Sequence, residues 1–141
     1  MDPVICPAIL FCDGIIREEG TGKFTIIGAF QFFNAPSFPL MVPGFCVMVM
    51  LDNIQAGTKE LRVAVRLETS DSGLTIASGL ANVAMPQGYD PAGALDIPFR
   101  LQQVSFPYAG KFQLVVLVNN ETVGQRRLLV RPISATQQSS P

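Results

Sequence analysis

The pattern that most limits the fold of this chain is a hydrophobic period of two residues. In the stretch "ELRVAVRLE" (Glu60–Glu68) one set of side chains points one way and is apolar: Leu61, Val63, Val65 and Leu67. The alternate set is mostly charged: Arg62, Ala64, Arg66 and Glu68. A two-residue period is typical of a half-buried strand. No stretch of ten or more residues shows helical periodicity free of proline and glycine, so the sequence predicts an all-β fold.

Turn-forming segments divide the chain into about eight strands. We predict strands near residues 4–16, 24–33, 44–52, 59–69, 74–85, 95–106, 111–119 and 123–131. The last two form a hairpin that turns at Asn119–Thr122. Short strands at this spacing favour a single antiparallel β-sandwich, immunoglobulin-like, over residues 1–133. The remaining residues 134–141, "SATQQSSP", are predicted to be a disordered tail.

A Gly-Lys pair in "EEGTGKFTI" (residues 18–26) raises the question of a phosphate-binding loop. The motif G-x-x-x-x-G-K-[ST] requires glycine where this chain has Arg17, and serine or threonine where it has Phe24. The segment "FTIIGAFQFF" that follows is aromatic and β-branched, which indicates a strand and not the helix of a P-loop. We therefore predict a tight reversal between two strands, in which Gly20 and Gly22 adopt positive φ.

The residue types on which most catalytic sites depend are scarce. The chain contains no histidine, which removes the usual general base and the commonest metal ligand. We therefore predict that the protein is not an enzyme and uses no cofactor. One alternative is a metal-dependent enzyme built on carboxylates. Its best candidates are Asp90 and Asp96, which flank the loop "GYDPAGALD"; turn chemistry is the competing interpretation of both residues.

Charge and hydropathy limit the partners and the location. The net charge of −1, with basic residues spread along the chain, predicts no nucleic-acid binding. The longest apolar run, Leu40–Leu51, is shorter than the ~20 residues that a membrane-spanning helix needs. The first residues lack the basic segment of a signal peptide. We therefore expect a cytoplasmic protein without a membrane span, whose three cysteines are reduced; Cys6 and Cys12 share strand parity and could face the same way.

Two of the predicted strands are apolar on both faces. Opposite the core-facing set lie Cys46, Met48 and Met50 on one strand, and Val115 and Leu117 on the other. A two-layer sandwich has polar residues at such positions, since its outer face meets water. We expect another copy of the chain or another protein to cover these residues, which gives a self-associating interaction or structural module. The alternatives are cover by the chain's own loop 86–94 or by a third layer, and a sandwich that binds a small ligand such as a lipid or glycan.

Two segments carry resemblances to known proteins. The run "CDGIIREEGTGKFTIIGAFQFFNAPSFP" (residues 12–39) resembles a bacterial family of small uncharacterised proteins, a domain of unknown function. The C-terminal "FPYAGKFQLVVLVNNETVGQRRLLV" is similar to the last hairpin of immunoglobulin-like sandwiches, where a Gly-x-aromatic step, here Gly110-Lys111-Phe112, opens the penultimate strand. These resemblances imply a fold and no activity.

Overall fold

The computed structural model describes residues 3–88, 90 and 93–133. Within them, nine strands and no helix form two sheets, so the all-β prediction is confirmed. The strands are β1 (Ile5–Arg17), β2 (Phe24–Phe30), β3 (Phe32–Ala35), β4 (Leu40–Asp52), β5 (Glu60–Thr69), β6 (Thr75–Ala84), β7 (Leu95–Phe106), β8 (Gly110–Val118) and β9 (Glu121–Pro132). No helix of this described part could cross a membrane. The predicted disordered tail, residues 134–141, lies outside the described residues.

The strand order is β2-β1-β4-β7 in the first sheet and β3-β9-β8-β5-β6 in the second. The predicted strand 24–33 is in fact two strands, because the chain bends at Gln31 and passes from the first sheet to the second. There β3 runs parallel to β9, so the prediction of a purely antiparallel sandwich of eight strands is wrong at this edge. Alternation shows which side chains share a face, and it carries no information about the sheet to which a segment belongs.

The core between the sheets contains a chain of aromatic rings. Phe45 on β4 lies with its ring centroid 6.4 Å from that of Phe11 and 5.5 Å from that of Phe33, in edge-on contacts. The ring centroid of Phe33 lies 5.5 Å from that of Phe106, and the ring centroid of Phe106 lies 5.0 Å from that of Phe112. Edge-to-face and tilted rings stabilise each other beyond the area they bury. This aromatic chain therefore joins strands of both sheets.

The first half of β1 also packs against β9 at one side of the sandwich. At Gly124 an added Cβ would lie only 2.8 Å from the Cβ of Cys6, so the two strands can approach this closely only because residue 124 has no side chain. The Arg126 guanidinium donates a hydrogen bond to the carbonyl of Ile9 and lies 5.4 Å from the ring centroid of Phe11. β1 thus belongs to the first sheet and also contacts the second.

Candidate binding groove

The segment "EEGTGK" closes a hairpin between β1 and β2, as predicted. Gly20 and Gly22 have φ of 84° and 70°. The amide of Glu18 donates to the carbonyl of Lys23 at 2.7 Å, and the amide of Gly22 donates to the carbonyl of Glu18 at 3.1 Å. Glycine adopts these left-handed angles without the cost of a Cβ clash. The reversal interpretation of the Gly-Lys pair is therefore confirmed.

The hairpin curls back over the outer face of the first sheet. Leu10 and Arg17 both line one cavity of about 550 Å³, although they are seven residues apart on β1. At ~3.3 Å per residue a straight strand would separate their Cα atoms by roughly 23 Å, so their place in one cavity indicates that the hairpin bends toward the outer face. The hairpin tip, Thr21–Lys23, lies farther still along the chain and lines the same cavity. We call this cavity the hairpin groove.

A glycine marks the place where the hairpin leaves the sheet. Gly28 has φ of 65°, and it lies between two β1–β2 pairs, Cys12 with Ala29 and Gly14 with Ile27. A Cβ added at Gly28 would lie 2.3 Å from a carboxylate oxygen of Asp13. The backbone angle therefore favours glycine here, and a larger residue would also have to displace the end of the exposed Asp13 side chain.

The floor of the hairpin groove is apolar and belongs to the first sheet. Leu10 on β1 lies opposite Met48 on β4, and Met50 lies opposite Asp96 on β7. Leu95 completes the floor, and Asp96 supplies its one carboxylate. Methionine is flexible and polarisable, so a surface with two methionines can adapt to different apolar shapes.

The opposite wall carries two cations. Phe24 and Ile26 of β2 face the cavity together with Arg17 and Lys23. The Arg17 guanidinium carbon lies 5.4 Å from the centroid of the Phe24 ring, a cation–π contact that orients its charge. Within the described residues neither Arg17 nor Lys23 makes an ion pair. The groove therefore combines an apolar floor with two cations that lack a carboxylate partner in this part of the chain.

The other face of the hairpin meets solvent and is also apolar. Ile16 is 53% exposed and Ile27 is 45% exposed. They share one face, because Ile27 lies opposite Gly14 and a Cβ on Gly14 would be 3.9 Å from that of Ile27. On this same face the Thr25 hydroxyl donates to the Glu18 carboxylate at 3.2 Å. The hairpin is thus apolar both toward the groove and away from it.

The five residues predicted as one interface do not form one. Cys46, Met48 and Met50 lie on β4 in the first sheet, whereas Val115 and Leu117 lie on β8 in the second, and these outer faces point in opposite directions. All but the half-buried Met50 are between 6% and 9% exposed in the single chain. The expectation that they face solvent without a partner is wrong. Neighbouring strands and their long side chains enclose them, and the β1–β2 hairpin overhangs Met48 and Met50.

A pair of thiols went unnoticed in the sequence. Cys12 on β1 lies directly opposite Cys46 on β4, and the Arg100 guanidinium donates to the Cys46 sulfur at 3.7 Å. Burial, and next the proximity of Cys46, raise the pKa of the Cys12 thiol above its ordinary value. Burial likewise raises the pKa of Cys6, which lies on the other side of β1 against β9. The predicted shared orientation of Cys6 and Cys12 is wrong, because a register shift follows Ile5.

The two carboxylates predicted as a candidate metal site, Asp90 and Asp96, lie in different surroundings. Asp96 lies on β7 and lines the hairpin groove. Asp90 lies in the preceding loop, where its carbonyl accepts the Gly93 amide at 2.9 Å, which is turn chemistry; three other residues of this loop are outside the described part. Within the described residues, no group of three or more histidine, cysteine, aspartate or glutamate side chains could hold a metal ion.

Comparison with solved structures gives distant likenesses. A β-glucuronidase of glycoside hydrolase family 2 is 15% identical and has a TM-score of 0.44, covering 60% of this chain and 9% of that one. A Pseudomonas fluorescens alkylpurine DNA glycosylase bound to DNA with an abasic site analogue is 14% identical over 91% of this chain and 30% of that one, with a TM-score of 0.49. The chain thus spans less than a third of either protein.

A third solved structure is similar in size. An immunoglobulin-like protein from Pseudomonas aeruginosa is 13% identical and has a TM-score of 0.38, covering 92% of this chain and 98% of that one. No curated protein matches the chain.

In the described residues the two sheets and the overhanging hairpin form a small all-β domain without a helix. This domain has an external groove. The chain belongs to a family of unknown function, DUF6941, which matches residues 7–131. The resemblance of residues 12–39 to a family of unknown function is thereby confirmed, and the match extends over nearly the whole sandwich.

Proposed function

We propose that this protein is a non-catalytic binding module whose ligand occupies the hairpin groove. The observation that carries the proposal is the convergence of Leu10, Met48 and Met50 with the hairpin tip on one cavity of about 550 Å³. Small-molecule sites typically measure about 300–1,000 Å³ and combine apolar walls with a few polar groups. The groove has both properties, and it brings together three residues that the sequence had singled out: Met48, Met50 and Asp96.

Binding without catalysis fits the chemistry of the groove better than an enzyme does. The ionisable side chains that line it are Arg17, Lys23 and Asp96, and no nucleophile stands beside a base among them. The carboxylate-based enzyme keeps little support, because Asp90 is engaged in a turn apart from these residues. The three free thiols suit a reducing compartment and so support a cytoplasmic location for an immunoglobulin-like sandwich.

Replacing Leu10 with glutamate should weaken binding of an uncharged apolar dye such as Nile red. A carboxylate on the floor must be desolvated by an apolar ligand, and we expect affinity to fall by about tenfold or more. The matched control is Leu80→Glu, since Leu80 is exposed on β6 in the second sheet, away from the groove. Fluorescence titration measures both variants. Equal dye affinity in wild type and Leu10→Glu would remove the groove as the site.

Self-association remains a second candidate, now through the outer face of the hairpin. β2 is an edge strand of the first sheet and has no charged residue between Phe24 and Phe30. Edge strands usually carry charges, prolines or bulges that prevent pairing with another chain. The exposed Ile16 and Ile27 continue this uncharged surface. A second copy that pairs edge to edge would cover it, giving a homo-oligomer.

Replacing Ile27 with lysine should convert such an oligomer to monomer. A lysine at the contact would lose its hydration, and we expect association to weaken by about 100-fold. Analytical ultracentrifugation at micromolar concentration reports the change, with Leu74→Lys as the control because Leu74 is exposed in the turn before β6. A wild-type chain that sediments as a monomer rejects this candidate, as does an Ile27→Lys variant that assembles like wild type.

A further inference from the structure

We propose that the ligand of the hairpin groove is a single-chain amphiphile with an anionic head group, of the fatty-acid type. Its alkyl chain lies on the floor formed by Leu10 and Met48, and its head lies against Arg17 and Lys23 on the hairpin wall. This inference rests on the proposed function and adds the chemical class and orientation of the ligand.

The lining of the groove suits a flexible alkyl chain. On the floor Met48 is almost fully buried while Leu10 and Met50 are more open, so Leu10 and Met50 present most of the apolar surface of the floor. Phe24 and Ile26 line the groove from the hairpin side. Unbranched, polarisable methionine side chains adjust to an alkyl chain at low cost. A glycan would need polar partners along its whole length, and the floor offers one carboxylate, that of Asp96.

The arrangement of charges selects the head group. Arg17 and Lys23 line the groove, and the Glu18 carboxylate is held by the Thr25 hydroxyl on the opposite face of the hairpin. The hairpin therefore separates Arg17, which lies opposite Phe24 on the groove face, from this acidic neighbour. Asp96 lies on the sheet side and pairs with neither cation, so an anionic head is repelled from the floor and attracted to the hairpin wall. A carboxylate head group would also accept two parallel hydrogen bonds from the N–H groups of the Arg17 guanidinium.

The restraints on Arg17 make it a suitable partner for a carboxylate. Its guanidinium carbon lies 5.4 Å from the ring centroid of Phe24, a groove residue, and this cation–π contact reduces the side-chain freedom that is lost when a ligand binds. Lys23 follows the Gly22 turn directly, and its backbone amide donates to the Thr21 hydroxyl at 3.2 Å. The hairpin thus holds the backbone of both cations in a defined geometry before any ligand arrives.

The test uses the full chain and three ligands that differ in the head group alone: dodecanoate, dodecanol and dodecylamine. Each displaces bound Nile red at about pH 7.5, where the acid is ionised and the amine is protonated. We expect dodecanoate to bind about tenfold more tightly than dodecanol, the size of effect that a charge-assisted hydrogen bond supplies, and dodecylamine to bind more weakly than either.

The variant Arg17→Gln/Lys23→Gln should lose the preference for dodecanoate, so that the ratio of dodecanoate affinity to dodecanol affinity falls to about one. A matched double variant on the second sheet, Lys111→Gln/Arg127→Gln, removes the same charge and should keep the preference. Equal affinity of wild type for dodecanoate and dodecanol overturns the inference, as does a preference that survives in Arg17→Gln/Lys23→Gln. Failure of wild type to bind Nile red at all rejects the proposed function instead, so the two failures are distinguishable.

Discussion

Replacing Phe45 with alanine is expected to lower the free energy of unfolding by about 3–5 kcal/mol. Phe45 is almost fully buried and contacts the rings of Phe11, Phe30 and Phe33. Its removal leaves a cavity at the point where strands of both sheets meet, and the surrounding rings cannot all move to fill it. Urea denaturation measures the change as a lower midpoint with an unchanged slope.

Phe32→Ala is the control for this prediction, because the same atoms are deleted from a side chain that is 42% exposed. Phe32 lies on β3 under the guanidinium of Arg131, whose central carbon is 3.8 Å from the ring centroid. Loss of this cation–π contact and of partial burial should cost roughly 1 kcal/mol. Similar losses for the two variants would show that the aromatic chain around Phe45 is not the main stabilising contact between the sheets.

Replacing Gly28 with alanine should have the second-largest effect on stability, about 1.5–3 kcal/mol of unfolding free energy. A positive φ costs a residue with a Cβ roughly 1–2 kcal/mol, and moving the exposed Asp13 side chain from its rotamer adds roughly 0.5–1 kcal/mol. Asp13 must move because the new Cβ would lie 2.3 Å from its carboxylate oxygen. Thermal or urea unfolding measures the loss. Nile red affinity should fall as well, because Gly28 lies where the hairpin turns toward the groove.

The two contributions at Gly28 can be separated. In the double variant Asp13→Ala/Gly28→Ala the clash is relieved and only the backbone cost remains, so the double variant should be more stable than Gly28→Ala by roughly 0.5–1 kcal/mol. The single variant Asp13→Ala completes the cycle. Additive losses in this cycle would show that Asp13 does not restrict residue 28, and that the backbone angle alone requires glycine.

Local patterns predicted most of the strands and turns. The alternation in Glu60–Glu68 corresponds to β5, and the hairpin at the C-terminus turns at Asn119 and Asn120, both with positive φ. The reversal at Gly20 and Gly22 was predictable because glycine readily adopts positive φ and because the segment does not match the phosphate-loop motif. Each of these features is decided within about ten residues of chain, which is the range over which a periodic pattern carries information.

The groove could not be predicted, because it depends on contacts between distant residues. Met48 and Met50 were singled out as apolar on an unexpected face, yet nothing local shows that a hairpin some 25 residues earlier overhangs them. The register shift after Ile5, which turns Cys6 away from Cys12, is likewise invisible to a pattern that assumes an unbroken period of two. One signal was available: Gly28 interrupts an otherwise apolar strand, and a glycine inside a strand often marks a bend.

The outer part of the β1–β2 hairpin, residues 13–29, contributes no side chain to the interior that holds the two sheets together. None of the residues from Asp13 to Ala29 belongs to the buried cluster or packs directly on it. Substitutions at the tip, Thr21–Lys23, should therefore leave the packing between the two sheets unchanged. The side chains that fill the interior and the tip residues that line the groove come from separate stretches of the chain.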